Sequence, residues 1–361
     1  MITGDDNPNT KPSLARRFIY YSTALILSYK GGEPFHLFLK KYFASQKKHG
    51  SRDRKLITAL CYAYFRVGHA VSASVSIEEK MKLGYFLTEN KASPLWDAFP
   101  AGWKERIEMP LANKLDFVKP FFNVNELFPL HEFLSGYIDK RPFVLSFLIQ
   151  PLVFVRIRPG RNAEVLNKIN AAGIEFGKTG PNCLSFTASQ KITDILKTDR
   201  EVVIQDWSSQ QVATLMQKVK HTGQQSMSVW DCCAASGGKS ILAVDVFQSI
   251  KLTVTDTRKN ILENLKSRFK LAGIKGYQAL VADLSVEGEK PLFNTQFDLI
   301  IADVPCSGSG TWARNPEQLH FFAKGSIDKY VSLQRKIIDN SVPCLQSGGY
   351  FLYITCSVFK K

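Results

Sequence analysis

No stretch of the sequence approaches the ~20 consecutive apolar residues that a membrane-spanning helix needs. The first residues, Met1 to Pro12, are polar and include Asp5 and Asp6, so they lack the apolar core of a secretion signal. Cysteine is sparse and odd in number, seven in all with no C-x-x-C pair, which argues against a disulfide framework and against a zinc site. No internal repeat or low-complexity tract occurs. A soluble, cytoplasmic, monomeric chain without a metal or a membrane partner is expected. Acid is in deficit as well. With 47 Lys and Arg against 32 Asp and Glu the net charge is +15, a balance that suits a polyanionic partner. The 361 residues, 45% of them hydrophobic, suffice for two or three domains with real cores.

The stretch around which the chain is organised reads V-W-D-C-C-A-A-S-G-G-K-S, Val229 to Ser240. A short apolar run gives way to small residues and then to a helical pattern over 241–247, which predicts strand, tight turn and helix. Small residues let the backbone approach a ligand, and the N–H groups that open a helix favour polar or anionic atoms. Two nucleotide motifs fail here. A P-loop needs glycine where Cys233 stands, and the dinucleotide pattern G-x-G-x-x-G is absent. A plain tight turn remains open until the following strands are considered. Asp256 closes the next apolar run at the distance where a carboxylate meets ribose hydroxyls. Asp283 and Asp303 close two more, so that with Asp231 four aspartates are expected on one edge of a parallel sheet as a ligand rim.

Ahead of this region the pattern is helical. Helices are predicted over residues 14–29, 34–45, 52–71 and 76–90, the last capped by Ser76 with Glu78 and Glu79 in its first turn. Residues 40–55 hold seven basic residues and one acid among Tyr42, Phe43 and His49. Beside a cofactor-binding domain, such a patch points to nucleic acid. His36, His49 and His69 are read as surface or packing residues. Five prolines and several aromatics over 93–129 suit a packed connecting segment. A small α/β unit follows, with strands at 151–157, 174–176, 184–187 and 202–205 and helices at 162–172 and 189–197. A helix over 208–219 then leads to the central stretch. The boundaries are drawn at 1–92, 93–141, 142–205 and 206–361.

The chemistry lies after Asp298. Asp303-Val304-Pro305-Cys306-Ser307-Gly308-Ser309-Gly310 sets a carboxylate and a thiol three residues apart on a strand exit, and 348–354, read as a buried strand, delivers Thr355-Cys356-Ser357 to the same edge. A lone cysteine at such a place is usually a small hydrophobe. Two of them beside a carboxylate fit methylation at carbon 5 of cytosine. That carbon is too weak a nucleophile until a thiolate adds to carbon 6 and makes the ring enamine-like. The carbon 5 proton must then leave before the thiol is expelled, which gives work to a base or second thiol. Chemistry alone does not choose between Cys306 and Cys356 as the attacking group.

In C-A-A-S-G-G-K, D-V-P-C-S-G-S-G-T-W-A-R-N-P-E and Y-I-T-C-S-V the chain resembles the RsmB/Sun family of S-adenosylmethionine-dependent RNA 5-methylcytosine methyltransferases. The likeness covers residues 142–361, and residues 14–71 resemble more loosely the NusB-like helical domain of bacterial members. The resemblance implies a Rossmann-like class I α/β methyltransferase domain, preceded by a small α/β RNA-binding unit and an all-α NusB-like domain. It implies that Cys233, Ala234, Ala235, Ser236, Gly237, Gly238 and Lys239 wrap S-adenosylmethionine. Asp256 would take the ribose, Asp283 the adenine side, and Asp303 would lie between cofactor and cytosine. Cys356 matches the nucleophile and Cys306 the cysteine that assists release of the methylated base, with Lys239 supporting the ring chemistry. Ribosomal RNA, 16S in particular, is the implied substrate, at an unstacked cytosine. An RNA-binding ribosome assembly factor without turnover is the alternative.

Two departures from the family pattern stand out. Ser236 replaces the usual proline, and Cys232 is an additional neighbour of Cys233, with neither thiol expected to be catalytic. The chain also ends five residues past Cys356, where the fold normally continues. Five parallel strands are therefore expected in place of seven, and the sequence is read as C-terminally truncated.

Overall fold

The computed structural model describes residues 13–100, 102–220, 226–286, 293 and 295–360. The polar start at 1–12 and the last residue, Lys361, lie outside the described residues. The chain divides into two units. One comprises the chain up to Gln150 together with Ser309–Lys324 and the residues from Val358 on; the other comprises Pro151–Gly308 and Gly325–Ser357.

The first unit is built on helices α1 (Leu14–Ser28), α2 (Phe35–Ser45), α3 (Ser51–Val67), α4 (Ile77–Thr88), α5 (Leu111–Val118) and α6 (Lys140–Ser146). Spacings of three and four bring Phe18, Ile19, Ser22, Leu25 and Ile26 of α1 onto one buried stripe. Ser76 caps α4 in a reciprocal box: its hydroxyl accepts the Glu79 N–H at 3.2 Å, and the Glu79 carboxylate accepts the Ser76 N–H at 3.1 Å. Helix α3, expected to reach residue 71, stops at Val67 before Gly68. It lies so close to α4 that a Cβ on Gly84 would stand 2.1 Å from the Ala63 carbonyl oxygen. In the proline-rich stretch Leu95, Trp96, Phe122, Leu127 and Phe128 are buried, as aromatics at that density require, and α5 forms there although no helix was expected.

The second unit opens with a four-stranded antiparallel sheet in the order β2-β3-β1-β4. Its strands are β1 (Val153–Ile157), β2 (Gly177–Gly180), β3 (Cys183–Phe186) and β4 (Val202–Ile204), with α7 (Asn162–Ala171) packed on it. Two expectations fail here. The strand placed at 174–176 lies instead at β2, because Ile174 and Phe176 are drawn into the hydrophobic core under the sheet. The helix placed at 189–197 is only a 3₁₀ turn, Ile192–Asp194. Side chains compete with helix there: Gln190 accepts the Thr187 N–H at 2.7 Å and donates to the Glu175 carbonyl at 2.8 Å. The helix expected over 208–219 is divided into α8 (Trp207–Gln210) and α9 (Val212–Met216).

A five-stranded parallel sheet follows, with β5 (Met227–Asp231), α10 (Gly238–Phe247), β6 (Ile250–Asp256), α11 (Lys259–Ala272), β7 (Gln278–Val281), β8 (Phe297–Asp303), α12 (Pro316–Phe321), α13 (Ser326–Ser341) and β9 (Leu345–Ile354). The strand order is β7-β6-β5-β8-β9. Direction of build-up reverses between β5 and β8, so a crevice opens beyond the carboxyl ends of those two strands. Val229, Trp230, Leu299 and Ile300 are fully buried, as strands covered on both faces demand. The final strand, read as buried, is half-exposed, because β9 pairs only with β8 among the described residues. Buried ion pairs link the two sheets of this unit. Arg156 and Arg158 meet Asp245 at 2.5 and 2.8 Å, and Arg268 meets Asp199 at 2.7 Å.

Helix α12 belongs to the first unit. There Trp312 is fully buried against Phe128, Phe322 and Phe359, and the Glu317 carboxylate accepts the Phe35 N–H that opens α2. Arg66 donates to the carbonyls of Phe147 and Ala313 at 2.8 and 2.6 Å. Among the described residues, no helix is long and apolar enough to cross a membrane.

Candidate active site

The turn between β5 and α10 is held in a shape that few sequences allow. Ala235 and Gly237 have positive φ, +46° and +84°. A Cβ on Gly237 would stand 2.6 Å from the Phe269 ring, so glycine is required there twice over. Ala234 donates to the Thr255 carbonyl and Gly237 to the Ala234 carbonyl, at 2.9 and 2.8 Å. Ser236, where proline was the expected type, is fixed from outside: its carbonyl and hydroxyl oxygens accept from Arg268 at 2.9 and 3.0 Å. Gly238 begins α10 and Lys239 follows it. Cys233, Ala235, Asp256, Asp283, Asp303 and Pro305 line a cavity of about 410 Å³ beyond the strand ends.

Three of the four strand-end aspartates reach this cavity. Asp231 does not: it is 0% exposed, with one carboxylate oxygen on the Ser240 hydroxyl at 2.6 Å and the other unpartnered. The expected rim of four is therefore a rim of three, because the turn folds over the end of β5. Burial pushes the Asp231 carboxyl up to about 7; the Ser240 hydrogen bond works against this and the Asp303 charge adds to it. Asp256 is opposite in kind. Burial works to raise it, but the Arg258 side chain and the N–H groups of Arg258 and Ala235 outweigh burial and hold it low. All four contacts to its oxygens are near 3 Å. Asp283 is exposed and accepts from the N–H and hydroxyl of Ser285.

The two cysteine-bearing turns lie side by side. Val304 donates to the Ile354 carbonyl at 3.1 Å, which keeps the ends of β8 and β9 level. The Pro305 carbonyl accepts from Gln334 of α13, whose amide oxygen accepts from the Tyr353 hydroxyl, both at 2.8 Å. Beyond them the Cys306 and Cys356 sulfurs are 3.2 Å apart and the Ser307 and Ser357 hydroxyls 3.2 Å apart. Cys356 is exposed and Cys306 partly so. The Cys306 thiol is brought down to about 6, first by the S–H of Cys356 and further by the N–H groups of Gly308 and Cys356, against burial and the Asp303 charge. Cys356 is pushed far up because its proton is held by the Cys306 thiolate, with burial and Asp303 acting in the same direction. The pair thus carries one negative charge and one shared proton at neutral pH.

Next to them, Asp303 accepts from Lys239 Nζ at 3.0 Å, and Lys239 also donates to the Ser209 hydroxyl at 2.6 Å. Cys232 is buried against Trp230, Leu284 and Val304, and its thiol is raised by its neighbour Cys233 and by burial. Of the histidines, His49 is buried among Tyr21, Tyr42 and Phe43. Among the described residues, no group of three or more His, Cys, Asp or Glu side chains is arranged to hold a metal ion. Ser209, Ser240 and Arg258 went unnoticed in the sequence. No spacing rule links Ser209 to a lysine 30 positions later, and the other two resemble ordinary helix and turn residues.

Residues 219–361 match the family described as 16S rRNA methyltransferase RsmB/F. These residues are similar to an RsmB/F-type methyltransferase domain. Ribosomal RNA small subunit methyltransferase B of Xylella fastidiosa is 28% identical over 213 residues, 57% of this chain and 48% of that protein. The protein of the same name from Shewanella oneidensis is 33% identical over 162 residues, 44% of this chain and 35% of its own length. The chain thus spans about half the length, or less, of the curated relatives it matches. The crystal structure of PH0851 shares the fold at a TM-score of 0.66 and 19% identity, covering 97% of this chain and 87% of that one. Within the matched residues fall both strand-end thiols, Lys239 and the three cavity aspartates, whereas Ser209 precedes them.

Two outcomes follow from the charge states of this domain. Because Asp231 is raised in the folded state, stability should fall as pH rises from its unfolded value near 4 to about 7, then level off. Asp231→Asn keeps the Ser240 contact and should remove that slope, so urea midpoints of the two proteins should agree near pH 4 and favour the variant at pH 8. For the thiols, alkylation of Cys306 by iodoacetamide should titrate near pH 6. In Cys356→Ala the midpoint should move up, since the S–H donor is gone; an unmoved midpoint would contradict the pairing.

Proposed function

We propose that this protein methylates carbon 5 of a cytosine in ribosomal RNA, 16S RNA in particular, with S-adenosylmethionine as methyl donor and a transient bond between Cys356 and carbon 6. The observation that carries the proposal is the pair of sulfurs 3.2 Å apart at the ends of two adjacent strands, next to a lysine-bound carboxylate. Hydrolases and kinases have no use for two thiols so placed, whereas an addition–elimination on a pyrimidine needs one sulfur to attack and a base to finish.

The residues present fit the cofactor. The turn at 233–239 presents backbone close to the cavity through its positive-φ residues, and the rim carboxylates match the ribose and adenine polar groups. S-adenosylmethionine, when bound, supplies an electrophilic methyl group on a sulfonium centre. Cys306 takes the proton of Cys356 across the shared hydrogen bond and passes it on to solvent, which returns Cys306 to the thiolate, and the Cys356 thiolate forms the bond to carbon 6. Asp303, steadied by Lys239, meets the pyrimidine edge while the ring takes on charge. Once carbon 5 carries the methyl group, its proton passes to a base, Cys306 by its placement, and the bond from sulfur to carbon 6 breaks. The assignment of attack to Cys356 follows the family likeness and accords with its greater exposure.

For the RNA, the helical unit offers Lys40, Lys47, Lys48, Arg52 and Lys55 on its surface with Tyr20 exposed among its aromatics. Cations so arranged bind phosphates without reading sequence. This is the role that the NusB-like and small α/β units are proposed to share.

Cofactor binding separates the rim residues. With Arg258 occupying both Asp256 oxygens, a ribose diol must displace the guanidinium. Asp256→Ala should weaken S-adenosylhomocysteine binding about tenfold to a hundredfold by calorimetry, the worth of hydrogen bonds to a charged group, whereas Arg258→Ala should tighten it. The chemistry is tested with RNA containing 5-fluorocytosine, in which the departing proton is missing and the adduct persists. Wild type and Cys306→Ala should form the covalent complex in the presence of S-adenosylmethionine, and Cys356→Ala should not. An adduct only with Cys356→Ala would exchange the two roles. No methyl transfer to small-subunit RNA by any form would favour a ribosome assembly factor instead.

A further inference from the structure

Lys239 is nearly buried and touches more than the carboxylate it serves. Its Nζ donates to Asp303 at 3.0 Å and, at a shorter 2.6 Å, to the hydroxyl of Ser209. Ser209 sits on the single-turn helix α8, directly after the last strand of the antiparallel sheet. It is not free to drift. Gln205, buried just past β4, places its amide nitrogen 3.4 Å from the same hydroxyl oxygen, and its side-chain amide oxygen Oε1 accepts from Arg156 Nε at 3.2 Å. Arg156 in turn is anchored by Asp245 on α10 at 2.5 Å.

The geometry points to Ser209 as a positioning residue that holds the Lys239 ammonium on Asp303, with Gln205, Arg156 and Asp245 as its support. A lysine on a four-carbon stem loses considerable rotamer freedom when fixed on one carboxylate, and a single 3.0 Å contact is a weak constraint on three rotatable N–H bonds. A second, neutral acceptor fixes the ammonium without adding a charge that would compete with Asp303. Ser209 thereby leaves the second Asp303 oxygen available to the pyrimidine and places one further Lys239 N–H in a set direction. The small antiparallel sheet then serves the reaction directly, through a side chain brought to the catalytic carboxylate. The kinetic consequence rests on the proposed cytosine chemistry; the structural one does not.

The test uses the full chain with Ser209→Ala, Ser209→Thr and, as a control on the exposed neighbour, Ser208→Ala. NMR of ¹⁵N-lysine protein reads the Nζ proton signal of Lys239, identified by its loss in Lys239→Arg. Its exchange with water should be about tenfold to a hundredfold faster in Ser209→Ala, the worth of one hydrogen bond to a charged group, and unchanged in the other two. In transfer of labelled methyl groups to small-subunit RNA, kcat should fall by the same factor in Ser209→Ala with KM for S-adenosylmethionine unchanged, and Ser209→Thr should recover it. A merely structural serine would lower stability and leave that split and that exchange rate alone. Unchanged exchange in Ser209→Ala overturns the inference, and so does faster exchange with full kcat. Faster exchange in a protein whose wild type transfers no methyl group would support the contact and refute the proposed reaction. If Ser209→Ala does not fold, Ser209→Cys, close in size and a poor acceptor, gives the same readouts.

Discussion

The level pairing of β8 with β9 is the constraint on which the site depends. Parallel strands exchange evenly spaced hydrogen bonds, so once Ile300 stands opposite Phe351 the register of every later residue is set. Asp303 then lies opposite Ile354, and a sulfur follows three residues further on one strand exit, at Cys306, and two residues further on the other, at Cys356. A slip by one position would turn one thiol to the other face of the sheet and abolish the shared proton. The hydrogen bonds from Gln334 and Tyr353 extend that register past the last ladder bond, to the turns where the sheet itself no longer dictates conformation. The electrostatics follow from the same spacing. Two thiols at 3.2 Å cannot both ionise, so one charge settles where backbone N–H groups receive it.

The polar skeleton of the second unit supports this arrangement from below. Asp245 takes Arg156 of β1 and Arg158 just past its end, and Asp199 takes Arg268, the residue that also fixes Ser236. Such buried pairs add little net stability, because desolvation cancels much of the attraction. Their value here is geometric. They tie a short antiparallel sheet to a parallel one and so determine where α8 and the cofactor turn lie.

Much of this was legible in the sequence. Strands β5, β6, β8 and β9 announced themselves as apolar runs closed by a carboxylate or by Thr-Cys-Ser, and the turn at 233–239 by its small residues. Helices α1, α2 and α4 followed from three-and-four spacing and a capping box. What failed did so for tertiary reasons. The fate of Asp231 depended on whether the next turn covered it, which no local pattern records. Residues 189–197 carried helical spacing, yet Gln190 and Thr187 used their side chains on the backbone. Ser209 became visible only when α8 and α10 were placed together in space, and the D-V-P-C motif gave no sign that the residues after it would join the first unit.

That last feature bears on how the molecule is made. Trp312, Glu317 and Phe359 complete the interior of a unit whose other residues come from the first 150 positions. During synthesis, the helices up to Gln150 therefore leave the ribosome with a gap in their core and must wait for Trp312 and Phe359 before it is filled. A piece cut at residue 150 would carry an exposed aromatic hollow where Trp312 and Phe359 belong.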